Sequence, residues 1–350
     1  VYKRQGYDDD FFYAAGWFYD EPGQIRGNSL RRDRWEGDDS FDLVVDGFND
    51  DQTALKFTTT PLGVLLDQEI LNDATWGTVN PINQDWNTFW DAATTITDEG
   101  WFAEVRIPLS SLGFTPRDGS AVMGIIVGRY IAAKDERHVY PAIPPDWDLA
   151  EMKPSKARDM RLEGVASQRP LWVTPYALTG VERVRVPDAT VVTSPTAAVP
   201  TELGLDMKYG LSSNLTLDLT VNTDFAQVEA DALQVNLDRF GLFFPEKRQF
   251  FQERSSVFAF DVGEGRLFHS RRIGLSETGD PVRILGGARL SGRLGGWDVG
   301  LLSMQVDGGP GRAGENDAVA RLARTFSSGA LVGGMVTSRI ANDGGVDLSM

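Results

Sequence analysis

Cysteine is absent from this chain of 350 residues, and its absence removes a whole class of sites. Disulfides and thiolate metal centres are excluded, and the redox compartment cannot be read from cysteine pairing. Histidine is almost absent, with only His138 and His269, and no G-x-S-x-G sequence occurs. A nucleophile–histidine catalytic system is therefore poorly supported.

Long hydrophobic runs are also missing. A membrane-spanning helix needs roughly 20 apolar residues, and the longest candidate, residues 121–133, is interrupted by Gly124, Gly128 and Arg129. No signal peptide is visible, but the chain begins with Val1 and has no initiator Met. We therefore expect a fragment of a longer protein, in which a leader could precede this sequence.

The sequence also lacks basic tracts. The net charge is −16, and it is uneven: residues 1–164 have a balance of −13 and residues 165–350 a balance of −3. Seven of the nine Trp precede residue 148. Nucleic acid is excluded as a partner, because its binding needs clustered Lys and Arg. Length and charge together predict two domains, residues 1–164 and residues 165–350.

Short alternating segments fill the first domain, and none of them has a sustained helical period. Strands are predicted at residues 11–19, 40–46, 54–60, 62–70, 100–107 and 122–131. Strands at this spacing, separated by polar turns, predict an antiparallel β-sandwich.

An acidic cluster around the second predicted strand is the first candidate site. Asp38 and Asp39 precede that strand, and the even spacing of Asp42 and Asp46 places them on one face of it. Hard oxygen ligands in such a corner suit a structural Ca²⁺. No calcium-loop motif is present, so a merely solvated acidic turn is the alternative.

An aromatic group in an Asn-rich segment is the second candidate site. It contains Trp76, Trp86, Phe89 and Trp90, with Asn87 among them. Exposed rings on loops over a rigid sandwich can stack on sugar rings while Asn side chains bind the hydroxyls. The alternative is that these rings cover the end of the sandwich.

Strict alternation begins in the second domain. Apolar residues occupy every odd position of segments 203–211 and 215–221, as in transmembrane β-barrel strands. Tight turns at 212–214, 295–296 and 327–329 alternate with long connections at 187–200, 222–281 and 307–317. Outer-membrane barrels have short periplasmic turns, which predicts a periplasmic first domain. Seven strands are predicted, and because barrels have even counts we expect the chain to stop inside the barrel.

Two sets of segments resemble one bacterial family. Arg31-Arg32-Asp33, DDSFDLVVDGFNDDQTALKF and GWFAEVRIPLSSLGF resemble a domain similar to family-9 carbohydrate-binding modules. In the family this domain precedes an outer-membrane domain of unassigned function. The segments NLTLDLTVNTDFAQVEADALQVNLDRFGLFFPEKRQFFQE and FHSRRIGL resemble that second domain. The resemblance implies an all-β protein of the outer membrane whose partners are lipid and oligo- or polysaccharide.

The tail of the stretch 224–251, residues 240–251, combines five Phe with the charged residues Glu246, Lys247 and Arg248. Its place in the longest connection predicts a segment folded into or over the barrel lumen, where these charges pair with wall charges. Arg271 and Arg272 are predicted members of the same network. A strand at residues 235–243 is the alternative.

Evidence for catalysis is weak. Gly309-x-Gly311-x-x-Gly314 lacks the strand–helix context of a dinucleotide site. Glu246 with Glu253, or Asp224 with Glu229, could form a glycosidase pair only at a suitable separation. We expect a non-catalytic outer-membrane barrel protein in glycan binding, uptake or envelope anchoring. A glycoside hydrolase, or its carbohydrate-targeting part, is the alternative.

Overall fold

A computed structural model describes the chain in two compact units. The described residues are 2–76, 80–84, 86–166, 169, 171–179, 182–183, 197–198, 201–212, 214–223, 246, 248–252, 254–262, 265–276, 282–308, 313–325, 330–342 and 344–349. The first unit contains residues 1–169, 210–214 and 252–264, and the second contains the remainder. The prediction of an all-β chain with antiparallel sheets is confirmed.

Helices are few and short in the described residues. The α-helices are α1 (Leu109–Leu112) and α2 (Gln249–Gln252). The 3-10 helices are Pro22–Gln24, Asn72–Ala74, Ala150–Met152, Pro154–Lys156, Ser255–Phe258 and Ser270–Arg272. Among these described helices, none has the length and apolar character needed to cross a membrane.

Two antiparallel sheets form the first unit. Its strands are β1 (Tyr2–Tyr7), β2 (Phe11–Tyr19), β3 (Ser40–Asp46), β4 (Ala54–Thr59), β5 (Leu65–Ile70), β6 (Ile82–Asn83), β7 (Asp91–Thr97), β8 (Gly100–Pro108), β9 (Ser120–Ile131), β10 (Glu136–Tyr140) and β11 (Arg158–Glu163). The smaller sheet has the order β1-β2-β8-β7, and the larger has the order β10-β9-β3-β4-β5-β6, with β11 beside β9.

A sandwich-like core lies between these sheets. Alternate residues of β2 and β8 are buried together with alternate residues of β3, β4 and β9, as the period of two requires. Phe18 stacks on Trp101 with 4.2 Å between ring centroids, and its ring lies 5.2 Å from that of Phe41. The predicted strands at 11–19 and 40–46 are confirmed. Strands β1, β6, β7, β10 and β11 were not predicted, because they are short or carry mixed polar residues.

A covering layer buries the outer face of the larger sheet. Val44, Ile70 and Ile126 on that face pack against residues of the segment that follows β10, including Leu149 and Met152. Strand β3 is consequently buried along its whole length. Its polar residues on this face are therefore removed from water, which decides the surroundings of Asp42 and Asp46.

One eight-stranded antiparallel sheet dominates the second unit. Its strands are β12 (Leu171–Thr179), β15 (Thr201–Ser212), β16 (Leu215–Val221), β19 (Ile284–Leu294), β20 (Trp297–Val306), β21 (Glu315–Thr325), β22 (Leu331–Ala341) and β23 (Val346–Ser349), paired in that order. Short strands β13 (Glu182–Arg183), β14 (Ala197–Ala198), β17 (Asp261–Val262) and β18 (Gly265–Arg266) lie in the connections. In the described strands the two ends of the sheet are not paired with each other. The sequence predicted seven strands, and β23 is the additional one.

Connections alternate in length along this sheet. Short turns join β15 to β16, β19 to β20 and β21 to β22, whereas long connections join β12 to β15, β16 to β19 and β20 to β21. In an antiparallel meander successive connections lie at opposite ends of the strands. These three short turns therefore share one end of the sheet, whereas the four-residue connection 342–345 between β22 and β23 lies at the other end.

The two faces of the sheet differ in composition. One face is mixed: Asp218 lies opposite Arg289 in the register and Asp317 opposite Arg339. Buried Leu302, Met304 and Val319 lie on this face too. The other face carries Leu, Val and Ala residues, with Leu217 opposite Leu290 and Leu301 opposite Ala320. The mixed face is buried and the more apolar face is exposed, whereas a water-soluble sheet buries its more apolar face. Arg289 is 1% exposed, whereas Leu203 is 69% exposed.

Candidate functional site

The predicted sugar-binding aromatics fall into two groups. Trp86 and Trp90 are each only 5% exposed. Both rings contact Phe57 of β4 edge-on, with centroid distances of 6.1 Å and 5.3 Å. Trp76 and Phe89 are 56% and 62% exposed. The burial of Trp86 and Trp90 favours the covering role over sugar stacking for these two, while sugar binding by Trp76 stays a prediction.

Asn87 joins a polar cluster beside these rings. Its Oδ1 accepts hydrogen bonds from Nε and Nη2 of Arg32 at 3.2 Å and 3.1 Å. Nη2 also donates to Oδ1 of Asp67 at 2.5 Å, and Asp67 Oδ2 accepts from the Thr88 amide at 2.6 Å. The Arg32–Asp67–Asn87 cluster thus connects the 26–35 loop, strand β5 and the 86–90 loop.

Asp67 is the buried member of the Arg32–Asp67–Asn87 cluster. Burial of its side chain raises its pKa to about 6, since the Thr88 amide and the Arg32 charge oppose this rise only in part. The neighbouring Asp33 carboxylate raises the pKa further. Asp67 lies on strand β5. Its ion pair with Arg32 therefore fixes the Arg32 guanidinium at the surface.

The four aspartates predicted to bind Ca²⁺ are all buried, but each has its own protein partners. Asp38 accepts a hydrogen bond from the Asn28 amide. Asp39 accepts from the amides of Arg26 at 2.6 Å and Ala132 at 3.2 Å. Both residues therefore fasten the chain that leads into β3.

Asp42 and Asp46 lie on the covered face of β3. Asp42 Oδ1 accepts a hydrogen bond from the Thr58 hydroxyl at 2.5 Å and lies 3.4 Å from Nζ of Lys56. Burial alone would raise the pKa of Asp42, but the Lys56 charge, the Thr58 hydroxyl and Arg137 together hold it below its usual value. Asp46 Oδ2 accepts from the amides of Asp50 and Asp51, both at 3.0 Å.

No three acidic or histidine side chains converge into a metal-binding group in the part of the chain that the structure describes. The aspartates instead serve as hydrogen-bond acceptors for loops and as partners of Lys56. The structural Ca²⁺ stays a prediction. The four carboxylates do not converge on a common point where such an ion would bind.

In the second unit, Glu246 and Arg248 form a buried ion pair that holds two chain segments together. Arg248 donates from Nε to Glu246 Oε1 at 2.8 Å and from Nη2 to Oε2 at 2.7 Å. It also donates to the carbonyl oxygens of Ser270 at 2.7 Å and Ile273 at 2.8 Å. The Ser270 hydroxyl completes this Glu246–Arg248 node by donating to Glu246 at 2.7 Å.

The electrostatics of this node favour two charged partners. Burial would raise the pKa of Glu246, but the hydrogen bonds and charge of Arg248 and the Ser270 hydroxyl together lower it below its usual value. The guanidinium of Arg248 also lies over the Phe251 ring, 4.2 Å from its centroid. A carboxylate bound in this way is a structural acceptor, not a proton donor for glycoside cleavage.

Residues 170–286 match a protein family described as Domain of unknown function (DUF5916). The match covers about a third of the chain, from the first strand of the eight-stranded sheet into β19. It includes the Glu246–Arg248 node. No curated protein and no solved structure matches the chain.

The predicted plug network is only partly described. Glu246 and Arg248 pair with each other, whereas the sequence predicted pairing with wall charges. Arg271 and Arg272 lie in the 3-10 helix whose carbonyl groups flank Arg248. Lys247 and residues 224–245, which include the alternative strand at 235–243, lie outside the described residues, as does Glu253.

Arg289 connects this segment to the sheet. Its guanidinium donates to the carbonyl oxygen of Phe250, and its Nε lies 3.6 Å from Asp218 on the neighbouring strand. Sequence reasoning missed Arg289, although its position in the alternation of β19 places it on the polar face. Arg32 and Asp67 were missed too. The sequence feature that could have indicated Arg32 is the basic loop 26–35 in an otherwise acidic domain.

Proposed function

We propose that the second unit is the membrane-embedded part of a non-catalytic outer-membrane β-barrel protein, and that the first unit is its periplasmic, glycan-binding domain. The inverted burial of the eight-stranded sheet carries this proposal. The face that carries Asp218, Arg289 and Asp317 among apolar residues is buried, and the more apolar face is exposed. A sheet in water has the opposite arrangement, because burial of apolar area drives its folding.

The exposed apolar face is too extensive for a soluble monomer. Its exposed members run across the sheet from β12 to β23: Leu171, Val173, Leu203, Leu205, Val221, Leu301, Leu322, Val332, Val336, Ile340, Val346 and Leu348. Soluble proteins rarely expose contiguous apolar patches of more than a few hundred Å². Lipid chains would cover such a face, since barrel strands alternate between lipid-facing apolar and lumen-facing polar residues.

The end of the sheet with the short turns has features of a membrane interface. Trp297 begins β20 at a short turn, and the guanidinium of Arg324 lies 5.9 Å from its ring centroid. An indole beside a long cationic side chain suits the boundary between lipid and water, where each group has one apolar and one hydrated part. Strand β12 begins at this same end, so the chain that precedes it leaves the sheet on the periplasmic side.

The Glu246–Arg248 node supports a brace inside such a barrel. Arg289 holds Phe250 against the charged face of the sheet, which would line the lumen. A brace of this type would restrict the lumen, and its charges are already bound within the protein. This arrangement supports uptake or anchoring rather than catalysis.

Site-directed labelling tests the lipid-facing assignment. The chain has no cysteine, so single substitutions Leu301→Cys and Val336→Cys on the apolar face can be labelled with a fluorophore without background. In liposomes that contain brominated lipid, we expect both labels to be quenched. Ile96→Cys is the matched control, since Ile96 is an exposed apolar residue of the first unit.

The control label at position 96 should respond to aqueous iodide and not to brominated lipid. If the labels at positions 301 and 336 also respond only to iodide, the sheet is not embedded and the proposal fails. Retention on a panel of neutral and acidic polysaccharides tests the glycan-binding part separately, and no retention on any of them would remove that part alone.

A further inference from the structure

A basic loop in the acidic first unit is the starting observation. Residues 26–35, RGNSLRRDRW, contain four Arg and one Asp, a local balance of +3. The loop is too short to count as a basic tract, but residues 1–164 as a whole have a balance of −13. All four of its Arg residues are exposed. This loop therefore forms a cationic surface within a negatively charged domain.

Arg32 gives the loop a fixed point. Its Nε and Nη2 are engaged by Asn87 and by the buried Asp67, as described above. Among the described residues no hydrogen bond to its Nη1 is found, and this nitrogen is left for a ligand. A guanidinium that is already oriented loses less conformational entropy on binding than one on a mobile side chain.

An exposed ring lies close in sequence to the same cluster. Phe89 is two residues from Asn87, to which Arg32 is hydrogen-bonded, and it is largely exposed. Arg31 and Arg34 flank Arg32 and are exposed as well. Guanidinium groups bind carboxylates in a planar, two-point geometry, whereas Arg32 offers only Nη1 for one-point binding. An aromatic ring can stack on the apolar face of a sugar.

We infer that the 26–35 loop and Phe89 form a binding surface for acidic polysaccharide, with Arg31, Arg32 and Arg34 recognising the carboxylate groups of its sugar units. This inference rests on the proposed glycan-binding function and specifies its ligand class. Charge complementarity carries it, because the loop concentrates positive charge in a domain whose net negative charge repels a polyanion. The buried anchor at Asp67 favours glycan over a lipid surface, since a membrane needs no fixed guanidinium.

Binding to polygalacturonate, compared with a neutral polysaccharide, tests this surface on the full chain in detergent. We expect wild-type protein to bind polygalacturonate in a salt-sensitive manner. The double variant Arg31→Gln/Arg34→Gln should bind it about tenfold more weakly. The matched control Arg117→Gln/Lys134→Gln removes two exposed cations elsewhere in the first unit and should bind like wild type.

Three results would overturn the inference: no binding of polygalacturonate by wild-type protein at low salt, equal weakening by both double variants, or equal affinity for the neutral polysaccharide. The last result would leave the proposed glycan-binding function intact. Exposed Leu30 at the tip of the loop makes an anionic membrane the competing partner. Arg31- and Arg34-dependent binding to nanodiscs containing phosphatidylglycerol, without binding to polygalacturonate, would assign the loop to lipid.

Discussion

At the scale of single residues, Asp46 is the side chain with the clearest consequence for stability. It is buried on the covered face of β3, and within the described residues its Oδ1 has no hydrogen-bond partner. Burial, followed by repulsion from Asp50, raises its pKa to about 7. The amides of Asp50 and Asp51 oppose this rise only in part. The folded first unit therefore binds a proton that the unfolded chain, with an Asp pKa of about 3.9, has already lost near neutral pH.

The sign of the pH dependence follows from this difference. The contribution of Asp46 to the free energy of unfolding is largest below about pH 4 and is lost as the pH rises through about 7. Asp46→Asn cannot lose a proton and keeps an oxygen acceptor for the two amides. We expect the variant to be more stable than wild type by about 2–4 kcal/mol at pH 8 and nearly equal to it at pH 4.5.

Urea denaturation followed by Trp fluorescence measures this difference, because seven of the nine Trp lie in the first 147 residues. Comparing variant with wild type at each pH cancels the titration of all other groups. A difference of the same size at both pH values would show that Asp46 does not carry the proton.

At the scale of elements, the Glu246–Arg248 node holds residues 246–251 against residues 270–273 within the long connection between β16 and β19. Arg248 is buried and the Glu246 side chain is only 11% exposed. Arg248 also donates to two carbonyl groups of the segment 270–273. Arg248→Lys keeps the charge but loses the planar fork that makes these contacts. Because one partner of a buried pair is then left poorly satisfied, we expect local destabilisation of about 3–5 kcal/mol.

Hydrogen exchange detects this loss locally. In Arg248→Lys the amides of residues 248–252 and 269–273 should exchange faster, while those of β19 and β20 stay protected. Arg272→Lys is the control, since Arg272 is exposed in the same 3-10 helix. Unchanged exchange in Arg248→Lys would mean that other contacts hold the segment.

Sequence periodicity predicted which segments are strands better than it predicted which face of a strand is buried. Segments such as 11–19 and 40–46 are strands because aromatic and β-branched residues alternate strictly there. In FFYAAGWFY the alternation predicted the odd residues, Phe11 to Tyr19, as the apolar set, and this was wrong because both faces are rich in aromatic residues. Phe12, Ala14 and Phe18 proved to be the inner ones.

At the scale of the whole molecule, sequence reasoning identified some residues of the candidate site, such as Trp86, Trp90 and Asn87, but not the residues that they contact. Trp86 and Trp90 stand in a polar segment, and only the packing of Phe57 against both shows that they are buried. Arg32 and Asp67 are 35 positions apart, so no local pattern could relate them. Long-range pairs of this kind depend on strand order, which a single sequence does not specify.

The uneven distribution of charge leads to the last prediction. A net charge of −16 opposes association, but residues 165–350 contribute only −3 of it, although they carry the exposed apolar sheet face. In water, burial of this face should outweigh the weak repulsion, and we expect the chain to associate without detergent and to be monodisperse with it. The variant Leu301→Lys/Val336→Lys should associate less in light scattering, whereas Ile96→Lys in the first unit should behave like wild type. A detergent-free wild-type monomer would contradict this prediction, because it would require that water covers the apolar face.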